Sequence, residues 1–80
     1  MAERANAAID AEWAETAKRL LRAEMVKRGV TASGLAEKLS EMGIQETERN
    51  VANKISRGGF SAAFFLQCLK ALGCENLRLD

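Results

Sequence analysis

Five polar residues between positions 49 and 57 have the types and spacing to form one binding surface. Arg49, Asn50, Asn53, Lys54 and Arg57 recur at helical intervals, which places them together on one side of a helix. No Asp or Glu occurs from Arg49 to Lys70, although charged surfaces usually mix both signs. The pattern fits a polar, anionic partner. The alternative is a polar helix face that simply meets water.

The residues needed for catalysis and metal binding are scarce. The sequence has no histidine, the commonest general acid/base and metal ligand, and its two cysteines have no zinc-type spacing. Cys68 lies in an apolar stretch and reads as a small buried residue, whereas Cys74 follows Gly73 and could be exposed. We therefore expect no enzyme activity, catalytic residue, metal site or cofactor.

Length and composition indicate one small domain. The chain has 80 residues, of which 48% are hydrophobic, and a formal net charge of +1. This near-neutral charge excludes a broadly basic protein that coats nucleic acid non-specifically, so any basic surface must be a local patch. The sequence has neither the apolar run of a signal peptide nor 18 consecutive apolar residues, so we expect a cytoplasmic protein that does not span a membrane.

Glycines separate four stretches of helical periodicity. Because the sequence has no proline, these glycines are the residues that end the predicted helices. Thr31, Thr47 and Ser61 are suitable N-caps for the second, third and fourth helices, and Phe60 can pack forward on Phe65. We predict an all-α fold, with an N-terminal helical extension over 1–17, a core over 18–73 and a short extended tail over 74–80.

Apolar residues near both ends lie outside the predicted core segment. Ile9 and Trp13 precede the core segment, while Leu77 and Leu79 alternate in the tail. The first helix could pack back over the fourth through Ile9 and Trp13. Alternatively, Ile9 and Trp13 could contact a second subunit, because an exposed Trp is a common interface anchor. The tail with Leu77 and Leu79 could likewise pack on the core or pair with a second subunit.

The segment from residue 20 to residue 73 resembles the phage-repressor-like (lambda-repressor/Xre-type) helix-turn-helix family. LLRAEMVKRGVTASGLAEKL is similar to its first two helices, ERNVANKISRG to its recognition helix and FSAAFFLQCLKALG to its fourth. The chain, including Trp13 and the run from Arg57 to Phe60, resembles more closely a group of short bacterial proteins known only as a domain of unknown function. The first resemblance implies a compact helix-turn-helix domain of four to five helices.

Two features depart from the helix-turn-helix pattern. The stretch between Gly43 and Gly58 is about one helical turn longer than the family usually has, with the extra residues at 45–47. Ala32, Ser33 and Gly34 stand where the family usually has a glutamine or acidic pair. The first departure affects the angle of the third helix, and the second affects a contact to a DNA phosphate.

The same resemblance implies that the third helix enters the major groove of double-stranded DNA. Arg49, Asn50 and Asn53 would then read base edges, because Arg pairs with guanine and Asn with adenine through two hydrogen bonds each. The expected phosphate contacts are Ser33, Lys54, Arg57 and Ser61. We expect a homodimeric transcriptional regulator or accessory factor. A protein of the transcription machinery is a further candidate partner. The alternative is a protein-interaction module that keeps the same scaffold and binds no DNA.

Overall fold

In the computed structural model, the backbone is described for residues 2–79 and the side chains for residues 6–79. The described chain forms four helices and no strand: α1 (Ala2–Arg28), α2 (Ala32–Glu41), α3 (Glu48–Arg57) and α4 (Ala62–Leu72). The all-α prediction is confirmed, and the helix number is four rather than the upper limit of five. Residues 74–79 form the tail, which is neither helix nor strand.

The helix boundaries follow from caps and glycines. The side chains of Thr31, Thr47 and Ser61 each accept a hydrogen bond from the backbone N–H three residues ahead, which satisfies a donor that the first turn would leave unpaired. α1 ends at Arg28 before Gly29, whose φ of 66° lies in the left-handed region. The predicted N-caps are therefore confirmed.

A single apolar core joins the four helices. α2 packs on α3 and α4, and α1 packs on α4 and α3. Leu21, Leu35, Leu39 and Val51 are completely buried, and each contributes about 1.5 to 3 kcal/mol of hydrophobic stabilisation. The remaining core residues are Met25, Ala36, Ile55, Phe64, Cys68, Leu69 and Leu72.

The aromatic residues at the start of α4 close one end of this core. Phe60 stacks on Phe65 with ring centroids 5.8 Å apart and lies at a tilt to Phe64 at 5.6 Å. Phe64 is buried, while Phe60 and Phe65 are partly buried. The predicted packing of Phe60 on Phe65 is confirmed, and it sets the direction in which the chain enters α4.

The N-terminal half of α1 contributes little to the core. The helix has 27 residues, yet its buried side chains begin only at Leu21. Residues 6–13 are all exposed, and Trp13 keeps 64% of its surface accessible. The first helix therefore does not bury Trp13 over α4, which removes one of the two alternatives for this residue.

Candidate nucleic-acid interface

α3 has one buried side and one exposed side. Val51 and Ile55 are 0% and 4% exposed and face the core. At 100° per residue, Arg49, Asn53 and Arg57 form a row almost opposite this pair, and all three are exposed. Asn50 lies beside the row and is also exposed. The structure therefore brings together four of the five α3 residues singled out from the sequence.

The cap at the start of α3 holds this row in place. The Thr47 hydroxyl oxygen accepts a hydrogen bond from the Asn50 backbone N–H at 3.1 Å. Asn50 thus uses its main chain to anchor the helix, and its side-chain amide stays exposed. Glu48, in the first turn, is exposed as well, and its negative charge interacts favourably with the positive end of the helix dipole.

Lys54 differs from its neighbours because its ammonium group is engaged within the protein. Lys54 Nζ donates to the carboxylate of Glu46 and lies 4.8 Å from the centre of the Phe64 ring. The Glu46 side chain is only 7% exposed, whereas that of Lys54 is 45% exposed. Lys54 therefore anchors α3 to the preceding connection and to α4. A phosphate contact by Lys54 would have to share this ammonium group.

Glu46 is the residue that sequence reasoning missed. It lies in the connection between α2 and α3. A partial signal was present in the sequence, since Lys54 directly precedes the core residue Ile55 and so lies at the edge of the exposed face. That position indicates a contact at the helix border, although it does not identify the partner.

The C-terminal end of α3 is held by α1. Lys18 Nζ donates to the Ser56 carbonyl oxygen at 3.0 Å and lies 3.8 Å from a Glu15 carboxylate oxygen. Gly58 follows α3 with φ +69° and ψ −171°, a backbone conformation that is strongly unfavourable for any residue with a Cβ atom. The chain therefore turns sharply away from α3 immediately beside α1.

A shallow cavity of about 240 Å³ lies at this end of α3. Its lining consists of Lys54, Arg57, Gly58, Gly59 and Phe60. Two of these residues are cationic and the two glycines bring bare backbone to the surface. The cavity can therefore accommodate an anionic group beside Arg57.

The two serines assigned to phosphates lie at the starts of different helices. Ser61 follows the cavity, and its oxygen accepts from the Phe64 N–H at 3.0 Å, so its hydroxyl proton remains able to donate. Ser33 is exposed in the first turn of α2 and does not line the cavity. Helix starts also offer backbone N–H groups to anions.

The four residues assigned to a subunit contact differ in exposure. Ile9 and Trp13 are 48% and 64% exposed on α1. Leu79 is 72% exposed, but Leu77 is half-buried against the core, where it lines a groove with α4. The structure thus separates the α1 pair from the tail pair, and Leu77 already has an intramolecular role.

Two buried groups have shifted pKa values. Burial raises the pKa of the Cys68 thiol to about 12, and the nearby Glu46 carboxylate adds to the rise. The hydrogen bond from Arg28 lowers the pKa of the Glu24 carboxyl, and Lys27, whose ammonium is 3.5 Å away, acts in the same direction. Both groups stabilise the packing around them, and neither belongs to the α3 face.

Other kinds of site find no support in the described residues. Among residues 6–79, whose side chains the structure describes, no group of Cys, Asp and Glu side chains could hold a metal ion. None of the helices over this range has the length and apolar content needed to cross a bilayer.

Comparisons with known proteins identify a family without an assigned activity. Neither the curated proteins nor the solved structures contain a match to this chain. Residues 13–77, however, match DUF6471, which is described as a domain of unknown function. This match includes α2, α3 and α4 completely and begins at the exposed Trp13. The chain belongs to the DUF6471 family.

Proposed function

We propose that this protein binds double-stranded DNA in a sequence-specific manner, as a small transcriptional regulator or accessory factor in the cytoplasm. In this proposal α2 and α3 form a helix-turn-helix unit and α3 enters the major groove. The observation that carries the proposal is the exposed row of Arg49, Asn53 and Arg57 on a helix whose other side is firmly packed. A rigid helix with such a row can present several side chains to base edges together.

The residues of α3 have distinct roles in this proposal. Arg49 and Asn50 in the first turn of α3 and Asn53 in its middle read bases, while Arg57 contacts a phosphate near the cavity. Ser61 and Ser33 add neutral contacts to the backbone of the duplex. The buried position of Glu46 supports the charge balance, because it keeps one carboxylate away from the DNA surface.

Salt dependence provides the first test. Arg57 is the α3 cation assigned to a phosphate, so the logarithm of affinity should fall against the logarithm of salt concentration with a slope of about −0.9 per chain. Counterion displacement by Arg49 and Lys54 as well would steepen the slope to about −2.7. Binding is measured by fluorescence anisotropy on fragments selected from genomic DNA by the purified protein. Failure to retain any fragment at low salt would refute DNA binding.

Substitutions then test the reading face. Asn50→Ala and Asn53→Ala should each reduce the preference for the selected site by about 1 to 3 kcal/mol, while affinity for random duplex changes little. Arg57→Ala should weaken both kinds of DNA about equally. Asn76→Ala and Lys70→Ala are the matched controls, since both residues are exposed outside α3. Unchanged preference in the asparagine variants would exclude Asn50 and Asn53 as base-reading residues.

The second candidate is a protein-interaction module without DNA binding. The exposed Trp13 favours it, since a tryptophan that is 64% accessible gives a typical anchor for a protein partner. If this alternative holds, the α3 substitutions leave binding of the protein partner intact and Trp13→Ala abolishes it. A bacterial two-hybrid screen against subunits of the transcription machinery, with wild type and Trp13→Ala in parallel, separates the two.

A further inference from the structure

A second apolar stripe runs along α1, apart from the side that packs into the core. Ile9, Trp13, Thr16, Leu20 and Ala23 follow one another at alternating intervals of four and three residues. This is the seven-residue repeat with which two helices pack side by side. The core residues Leu21 and Met25 lie about 120° and 160° around the helix from the centre of this stripe. α1 therefore has one side for its own core and another for a partner helix.

The stripe is open to a partner along its length. Ile9 and Trp13 are 48% and 64% exposed, Leu20 is half-buried and Ala23 is exposed. Thr16, its one hydroxyl residue, donates that hydroxyl to the Glu12 carbonyl at 3.1 Å. Its polar hydrogen is thus satisfied within the helix, so burying Thr16 would leave no donor unpaired.

The charges of α1 indicate both the partner and its direction. Residues 6–17 contain three carboxylates and no cation, whereas residues 18–28 contain five cations and one carboxylate. Two copies of α1 side by side in parallel would bring like charges together. In the antiparallel arrangement the acidic half of each copy lies along the basic half of the other, so a second copy of this chain is complementary to the first.

One register satisfies both the apolar stripe and the charges. It places Ile9 opposite Leu20 of the partner subunit and Trp13 opposite Thr16 of the partner subunit. Residues flanking the stripe then pair Glu12 with Arg19 of the partner subunit, twice by symmetry. A shift of seven residues in one direction would place Glu12 opposite Glu12 of the partner subunit. A shift of seven in the other direction would place Arg19 opposite Arg19 of the partner subunit, and both arrangements are repulsive.

We propose that the protein forms an antiparallel homodimer through this α1 stripe, with Glu12 and Arg19 of the two subunits in contact across its edge. Arg19 is available for this role because its side chain is 76% exposed and its contact with the Glu15 carboxylate is long, at 3.8 Å. Trp13 is the central anchor, since it lies next to the twofold axis of this register. The dimer does not rest on DNA binding, because α3 takes no part in it.

A charge exchange tests the direction and the register together. Glu12→Arg and Arg19→Glu alone each replace two attractions by two repulsions, and dimer affinity should fall about tenfold in either variant. The variant that carries both changes restores opposite charges and should recover the wild-type affinity. Sedimentation equilibrium over a concentration series gives the dimer dissociation constant, and far-UV circular dichroism confirms that the helices are retained.

The anchor is tested with a matched pair of substitutions. Trp13→Ala should weaken the dimer by about 30-fold or more, as expected for a central tryptophan, and alanine favours the helix. Leu66→Ala is the control, because Leu66 on α4 is 62% exposed, close to the value for Trp13. A monomer at all concentrations would overturn the dimer. An equal effect of Leu66→Ala, or no recovery in the charge exchange, would overturn the α1 interface.

Discussion

The contact between Lys54 and Glu46 leads to the sharpest stability prediction. Lys54→Met removes the ammonium group but keeps an unbranched stem that can still pack on Phe64. The Glu46 carboxylate then remains only 7% exposed without its cationic partner. Because a buried charge without a partner is costly, we expect this variant to lower the free energy of unfolding.

The exposure of the two side chains determines the magnitude. Removal of one partner from a fully buried ion pair costs about 3 to 5 kcal/mol, whereas exposed pairs contribute about 0 to 1 kcal/mol. Here one partner is buried and the other is 45% exposed, so we expect a loss of about 1 to 2 kcal/mol. In a domain of this size each kcal/mol lowers the Tm by about 4 to 8 °C.

A double-mutant cycle measures the contact itself. Lys54→Met, Glu46→Gln and the combined variant are compared with wild type by urea denaturation. Lys54→Met should be the most harmful single change, because Glu46→Gln leaves a half-exposed cation that water can solvate. Lys70→Met, at an exposed position of α4, should stay within about 0.5 kcal/mol. A coupling energy below about 0.3 kcal/mol would refute the reasoning.

Three further predictions concern other parts of the fold. In the native protein a thiol reagent should modify the half-buried Cys74 quickly and Cys68 only on unfolding. Because burial raises the pKa of Cys68 from 9.0 to about 12, the free energy of unfolding should decline as pH rises between these two values. Gly58→Ala should cost about 1 to 3 kcal/mol in urea denaturation, since φ is +69° although space is available. The lowered pKa of Glu24 stabilises the fold above the ordinary value of 4.5, and this contribution is lost as pH falls through the lowered value. Glu24→Gln should therefore reduce the acid dependence of Tm, and an unchanged dependence would contradict the role of Arg28.

Local chemistry made most of the fold predictable from the sequence. The N-caps act on the residues that follow them within one turn, and a glycine ends a helix through its own backbone. Thr31, Thr47 and Gly29 therefore indicate helix limits without knowledge of the tertiary structure. The pairing of Glu24 with Arg28 was predictable for the same reason, since four residues along a helix bring two side chains together.

The parts that depend on connections between helices were not predictable. Periodicity places Trp13 on α1, but it does not determine whether the fourth helix reaches that far. Glu46 lies in the connection before α3, and a loop has no repeating geometry from which the inward direction of its side chain could be deduced. Its burial against Lys54 depends on how α2, α3 and α4 meet, which only the tertiary structure specifies.

The connection before α3 therefore has a structural role that bears on the proposed DNA binding. Through Glu46 it holds Lys54, and so it fixes the orientation of α3 from one side while Lys18 fixes it from the other at Ser56. If Lys54 contacts a phosphate directly, Glu46→Gln releases its ammonium group and should leave DNA affinity equal or higher. If Lys54 instead positions α3, Glu46→Gln should reduce affinity along with Lys54→Met, and most strongly for the selected site. We expect the second result in anisotropy titrations, because the carboxylate and the Phe64 ring already occupy the ammonium group. A gain of affinity in Glu46→Gln would return Lys54 to the phosphate contacts.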